Sequence, residues 1–143
     1  MVCTFFGHRE IEQEIISLLK STLTDLIENK DVTTFLVGHN GGFDAVVRAL
    51  LEDLSDIYPH IKYSVVLAYR PIEKEKNPTF DFSDTIYPDA LADVHPKYAI
   101  DRRNRWMIDK SDYVVTYVKY HGGAAKFKTL AERRGKTVIN IAC

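Results

Sequence analysis

The run Phe35-Leu36-Val37-Gly38-His39-Asn40-Gly41-Gly42-Phe43-Asp44 constrains the fold of this chain more than any other stretch. Three apolar residues stop at a glycine, and a helical period starts a few positions later. Phe43, Val46, Val47, Leu50, Leu51, Leu54 and Ile57 recur at the spacing of one buried helix face. A strand, a glycine turn and a helix N-terminus bring together unpaired amide N–H groups and the positive end of a helix dipole, and both favour an anion. Glycine also lets the backbone approach a ligand with no Cβ in the way. Gly41-Gly42 equally suits a tight βα turn that binds nothing. What favours the ligand reading is repetition: Gly7-His8, Gly38-His39 and His121-Gly122 each follow an apolar run.

The other apolar runs supply the rest of the architecture. Val2 to Phe6 reads as a first strand, Thr34 to Val37 as the second and Ile61 to Leu67 as the third. Asp112 to Val118 and Thr137 to Ile141 read as the last two, the former the strongest β-former in the chain. Between them lie helix patterns: Ile11, Ile15, Leu18, Leu19, Leu23, Leu26 and Ile27 on one face, then the Phe43 series. Ile100, Met107 and Ile108 mark a third helix, and Ala124, Phe127, Leu130 and Ala131 a fourth, closed by Gly135. The strands are continuous apolar runs rather than alternating ones, which favours a parallel sheet covered by helices on both faces. Tyr69 to Asp84, with Pro71 and Pro78, has neither period and reads as a long surface loop, either a binding loop or a tolerated insertion. Thr85 to Pro88 suits a brief strand or a turn. The fold class expected is α/β with a mostly parallel sheet, as one domain over residues 1–143.

Composition narrows the partners. A net charge of -1 leaves no basic surplus, which argues against nucleic acid as a partner. No apolar run approaches the ~18 residues that cross a bilayer, and the opening Met1 to Gly7 is too short for a signal peptide, so no membrane partner is expected. Cys3 and Cys143 have neither CxxC nor metal-ligand spacing, and reduced thiols in a cytoplasmic protein are the expectation.

In an open parallel sheet the strand C-termini share one edge, and ligands bind there, near the point where strand order reverses. Three histidines on that edge could hold zinc. Nothing resembles HExxH, however, and no helper carboxylates stand in position, so neither a metal nor a cofactor is expected. Arg9 and Arg70 follow strand ends, while Arg102 and Arg105 share a helix face; guanidinium groups match phosphate oxygens in a bidentate fork. These four suggest a phosphorylated ligand. The plainer reading is that Asp101 to Arg105 and Arg105 to Asp109 are (i, i+4) ion pairs solvating that helix. Arg103 and Arg133-Arg134 read as ordinary surface charge. Asp44 either favours the dipole of its own helix or reaches a ligand hydroxyl, and Tyr69 or Trp106 either stack on a base or belong to the core. There is no GxSxG, no GxxxxGK[ST] and no three-glycine dinucleotide fingerprint.

FFGHRE at the start, the GHNGGFD turn, IDRRNRWMIDKSDYVVTYV and the closing HGGAAKFKTLAERRGKTVINI, in this order, resemble the SLOG superfamily. They are most similar to its small DUF1273/YpsA-like branch of bacterial and prophage proteins; the superfamily also holds the LOG phosphoribohydrolases and DprA. The resemblance covers nearly the whole chain and implies a Rossmann-like three-layer fold that binds nucleotides or nucleotide-derived signals at its strand C-termini. By position it implies that Gly7, His8 and Arg9 form the first loop of the site, Gly41, Gly42 and Asp44 the second, and Gly122 and Gly123 the phosphate-binding turn. The LOG motif PGGxGTxxE continues with a threonine and a catalytic glutamate, whereas this chain reads HGGAAKFKT and has neither there. Cleaving an N-glycosidic bond needs a carboxylate at the anomeric carbon.

The expectation is therefore a nucleotide-like small-molecule binder acting as a sensor or accessory protein. Its candidate ligand-binding set is Gly7, His8, Arg9, Gly38, Gly41, Gly42, Asp44, Arg70, Arg102, Arg105, Gly122 and Gly123. The alternatives are a hydrolase or transferase at a nucleoside or nucleotide N-glycosidic bond, using Asp44 or Asp101, and an interaction scaffold with a vestigial pocket. A homodimer through helix faces is compatible with each. In spatial terms, Arg9, Asp44 and Gly122 are expected to line one concavity together with Arg102 or Arg105.

Overall fold

The computed structural model describes residues 1–70 and 85–142. Most of the long loop read at Tyr69 to Asp84, and Cys143, lie outside the described residues. The elements run β1 (Val2–Gly7), α1 (Ile15–Asn29), β2 (Thr34–Val37), α2 (Gly41–Ile57), β3 (Lys62–Val66), β4 (Thr85–Ile86), α3 (Ala99–Lys110), β5 (Tyr113–Tyr117), α4 (Gly123–Arg133) and β6 (Thr137–Asn140). The six strands form one sheet in the order β4-β3-β2-β1-β5-β6, and every neighbouring pair is parallel. Thr85-Ile86, open between strand and turn in the sequence, is an edge strand paired with Val65 and Val66.

Strand residues alternate between two cores, the period of two dictating which face each one meets. Phe5, Phe35, Val37, Val65 and Val115 face α1 and α2, where Leu19, Leu23, Phe43, Val47 and Leu51 close the layer. Phe6, Leu36, Val66 and Val114 face α3 and α4, meeting Met107, Ile108, Phe127 and Ala131. Leu18 and Ile57, read as parts of buried helix faces, are instead exposed. Each stands at the margin of its stripe, so an apolar residue there stays wet while its neighbours are covered. This is the three-layer, Rossmann-like arrangement.

Thr116, opposite Phe6 in the β1–β5 register, is wholly buried, and its hydroxyl has no hydrogen-bond partner among the described residues. A buried hydroxyl without a partner is a standing cost. Thr116→Val is expected to stabilise the protein by about 1 kcal/mol, read as a higher urea midpoint with an unchanged slope. A lower midpoint would mean that the hydroxyl is satisfied after all.

Candidate functional site

The chain builds outward from β1 through β2 and β3 to β4, then crosses back to place β5 and β6 on the other side of β1. The reversal point lies between the C-terminal ends of β1 and β5, and a hollow of about 600 Å³ sits there. Its floor is the end of β1; its walls are the His8–Glu10 loop, the start of α2, the inner face of α3 and the first turn of α4. Gly7, His8, Arg9, Asp44, Gly122 and Gly123 from the sequence-derived set line it together.

The two glycine turns beside this hollow differ in kind. At the start of α2 two of the amide groups are already taken: the Gly42 N–H donates to the Arg9 carbonyl (2.8 Å) and the Phe43 N–H to the His8 carbonyl (3.4 Å). The Asn40 N–H, one step earlier, donates to Asp44 Oδ2 at 3.1 Å. A Cβ on Gly42 would stand 2.3 Å from the Arg9 carbonyl oxygen, and one on Gly38 would stand 2.8 Å from Asp44 Oδ2. Gly41 has a positive φ of 86° against the Arg9 backbone. So Gly38, Gly41 and Gly42 do not line the hollow: Gly41 and Gly42 let the β1 loop lie directly on α2, Gly38 leaves room for Asp44 and Arg103, and the Gly42 and Phe43 amides, expected to be free, are bonded to that loop. The start of α4 is the opposite case. A Cβ on Gly122 or Gly123 would meet nothing within 4 Å, and no side chain caps the helix. Its first-turn amides have no side-chain cap, and this turn borders the hollow.

The arginines also rearrange. Arg102 and Arg105 do not join the hollow but border a separate one beside Trp106, where Arg105 Nε donates to Asp101 (2.7 Å). Lys126 Nζ reaches the same Asp101 at 2.6 Å. That carboxylate sits below its ordinary pKa, its burial outweighed by hydrogen bonds and charge from Lys126 and Arg105. Asp109 pairs with Arg134 rather than with Arg105. Arg70 lies over the Tyr87 ring. The arginine that joins Arg9 at the hollow is Arg103, read in the sequence as surface charge and here 3 % exposed. The turn of α3 puts it on the stripe of Ala99 and Met107, four residues to either side, whereas Arg102 falls outside. Its Nη1 donates to Asn40 Oδ1 (2.8 Å) and its Nε to Asn104 Oδ1 (3.0 Å). Asn40 thus gives its side-chain oxygen to Arg103 instead of capping α2.

Asp44 is 8 % exposed, and burial raises its pKa to about 6 against the opposing pull of the Asn40 N–H, Arg103 and Arg48. His8 is buried; its Nε2 accepts the Lys119 N–H (2.9 Å), which assigns the ring proton to Nδ1. Burial and the Lys119 charge lower its pKa, favouring the neutral ring. Its ring lies flat on Tyr120, 3.8 Å between centroids and 3° from parallel. Tyr120 lines the hollow and was missed in the sequence, where Tyr69 and Trp106 drew attention. Tyr69 instead donates its hydroxyl to the Pro96 carbonyl (3.3 Å), and Trp106 borders the other hollow under Lys110. His39 contacts Arg48 and His121 borders a third hollow, so the three histidines do not converge. Among the described residues no cluster of three His, Cys, Asp or Glu side chains could hold a metal ion, and no helix is long and apolar enough to cross a membrane.

An all-parallel sheet with a hollow at its reversal point defines a Rossmann-like α/β protein whose strand C-terminal edge carries two arginines, a carboxylate and a helix start without a side-chain cap. The model of the YspA SLOG family (YpsA) matches residues 2–138, and the chain belongs to that family. Among curated proteins nothing matches it significantly.

Proposed function

We propose that the protein binds a nucleotide or nucleotide-derived phosphorylated ligand in the hollow between β1 and β5, as a sensor or accessory module. The observation that carries this reading is the first turn of α4. Its amides are uncapped, its glycines leave open space, and it borders the hollow that Arg9 and Arg103 also line. Amide donors, the helix dipole and a guanidinium group on one cavity are the elements of a phosphate seat. Membership of the SLOG family supports a nucleotide-related ligand.

Gly123→Asp separates binding from folding. The position has room for a side chain, and a carboxylate in a first helical turn stabilises the helix by roughly 0.3–1 kcal/mol. The same charge repels a phosphate from the seat. The variant is expected to melt no lower than the wild type while its affinity for a nucleoside monophosphate, read by titration calorimetry, falls at least about tenfold. Unchanged affinity in a folded variant would remove this seat.

A second reading, hydrolysis or transfer at an N-glycosidic bond, has one observation in its favour: Asp44, a carboxyl with a pKa near 6, lines the hollow. A group that changes charge close to neutral pH suits general acid–base work. Asp101, the other carboxylate considered, is held by two cations and does not line the hollow. Release of free base from a nucleotide, lost in Asp44→Asn, would favour this reading; binding without turnover favours the sensor, and neither would leave a scaffold.

A further inference from the structure

We propose that Tyr120 is the stacking platform for a nucleobase, so that the ligand of this hollow keeps its base and is not a bare sugar phosphate. The proposal rests on the reading above that the hollow takes a phosphorylated ligand, and it goes further by naming what the ligand must carry beyond the phosphate.

Tyr120 lines the hollow yet is 60 % exposed and belongs to neither core. A large aromatic ring at the rim of a cavity and outside both cores is within reach of whatever occupies that cavity. It is not loose, because its one face rests on the His8 imidazole at 3.8 Å and 3°. His8 in turn is fixed from two sides: its backbone N–H donates to the Tyr117 carbonyl (3.3 Å) and its Nε2 accepts from the Lys119 N–H (2.9 Å). The ring therefore waits in one orientation, with little rotational freedom left to lose when a flat group lands on the free face.

Its place along the chain fits the phosphate seat. Tyr120 precedes Gly122 by two residues, a span of at most roughly 7 Å between Cα atoms, short enough for one nucleotide to touch both. Base–aromatic stacking is tolerant of base identity and strong enough to matter, about fivefold to a hundredfold in affinity per base. Purines, with the larger face, gain most. The plainer role for Tyr120 is to shield His8 from water, and that role makes different predictions.

The test is calorimetric titration of the wild type, Tyr120→Ala and Tyr120→Phe with ribose 5-phosphate and with AMP, GMP, CMP and UMP. The wild type is expected to bind at least one purine nucleotide about tenfold more tightly than ribose 5-phosphate. Tyr120→Ala should bring that nucleotide down to the ribose 5-phosphate level and leave ribose 5-phosphate itself unchanged, while Tyr120→Phe keeps the preference. Equal wild-type affinity for ribose 5-phosphate and every nucleotide overturns the platform and leaves the phosphate seat standing. So does a Tyr120→Ala variant that weakens all the probes alike, since that is what loss of His8 shielding would do. Absence of binding by all five probes overturns both readings.

Discussion

Gly42→Ala is expected to destabilise the protein by about 3 kcal/mol or more, lowering the melting temperature by roughly 10 °C. The added methyl would sit 2.3 Å from the Arg9 carbonyl oxygen, a distance that real Cβ contacts essentially never show. That oxygen cannot step aside cheaply, because it accepts the Gly42 N–H and the neighbouring His8 carbonyl accepts the Phe43 N–H. Moving the loop breaks both bonds and leaves two helix-start amides without partners. Gly7 guards the same junction from the other side: a Cβ there would stand 2.3 Å from the ring of Phe43, itself fully buried. Gly7→Ala should therefore cost a comparable amount, and the double variant less than the sum, since either change alone already separates β1 from α2. Gly123→Ala is the control. Its methyl meets nothing, and alanine is the better helix former, so no loss is expected. If Gly42→Ala melts with the wild type, the contact between the β1 loop and α2 is not as tight as drawn.

That contrast marks where sequence reading stops. Gly41-Gly42 and Gly122-Gly123 look alike on the page, each a glycine pair between a strand and a helix. Only the neighbours decide that one is filled by the Arg9 backbone and the other left open. The order of strands and helices was legible, because largely apolar runs of four to seven residues set between helix periods have few other readings, and β2 came out with the bounds read for it. The edge position of β4 was not, since two residues carry no period of their own. Arg103 was missed although a signal existed. Met107 and Ile108 fix the inward stripe of α3, and stepping back four residues from each lands on Arg103 and Asn104. Arginine is almost never fully buried unless paired, so its charge masks its phase on that stripe. A charged residue that falls on a core stripe is worth more attention than its composition class suggests. Tyr120 had no such signal: its stacking on His8 joins residues 112 positions apart.

Asp44→Asn is expected to stabilise the protein at pH 7 to 8 by roughly 3 kcal/mol and to make no difference below about pH 4. The sign follows from burial. Folding raises the carboxyl from its ordinary 3.8 to about 6, so between those values the folded chain binds more protons than the unfolded one. Stability from this group therefore falls as pH rises through that window and is level above it. Asparagine keeps an oxygen to accept the Asn40 N–H and carries no charge to bury. His8 and His39, whose pKa values burial lowers, work in the opposite sense, costing stability as pH falls through and below their unfolded values near 6.5. Both are present in wild type and variant, so they cancel in the difference between the two urea midpoints, and that difference is the quantity to plot against pH. Arg103 supplies the competing effect. If its attraction to the Asp44 charge outweighed the burial of the carboxylate, asparagine would strand a buried cation and the variant would be the weaker protein above pH 6. The raised pKa says that burial wins. A difference curve of the opposite sign, or one with its midpoint near 4, would return Asp44 to an ordinary ionised carboxylate, and with it would go the one observation that favours acid–base chemistry in the hollow.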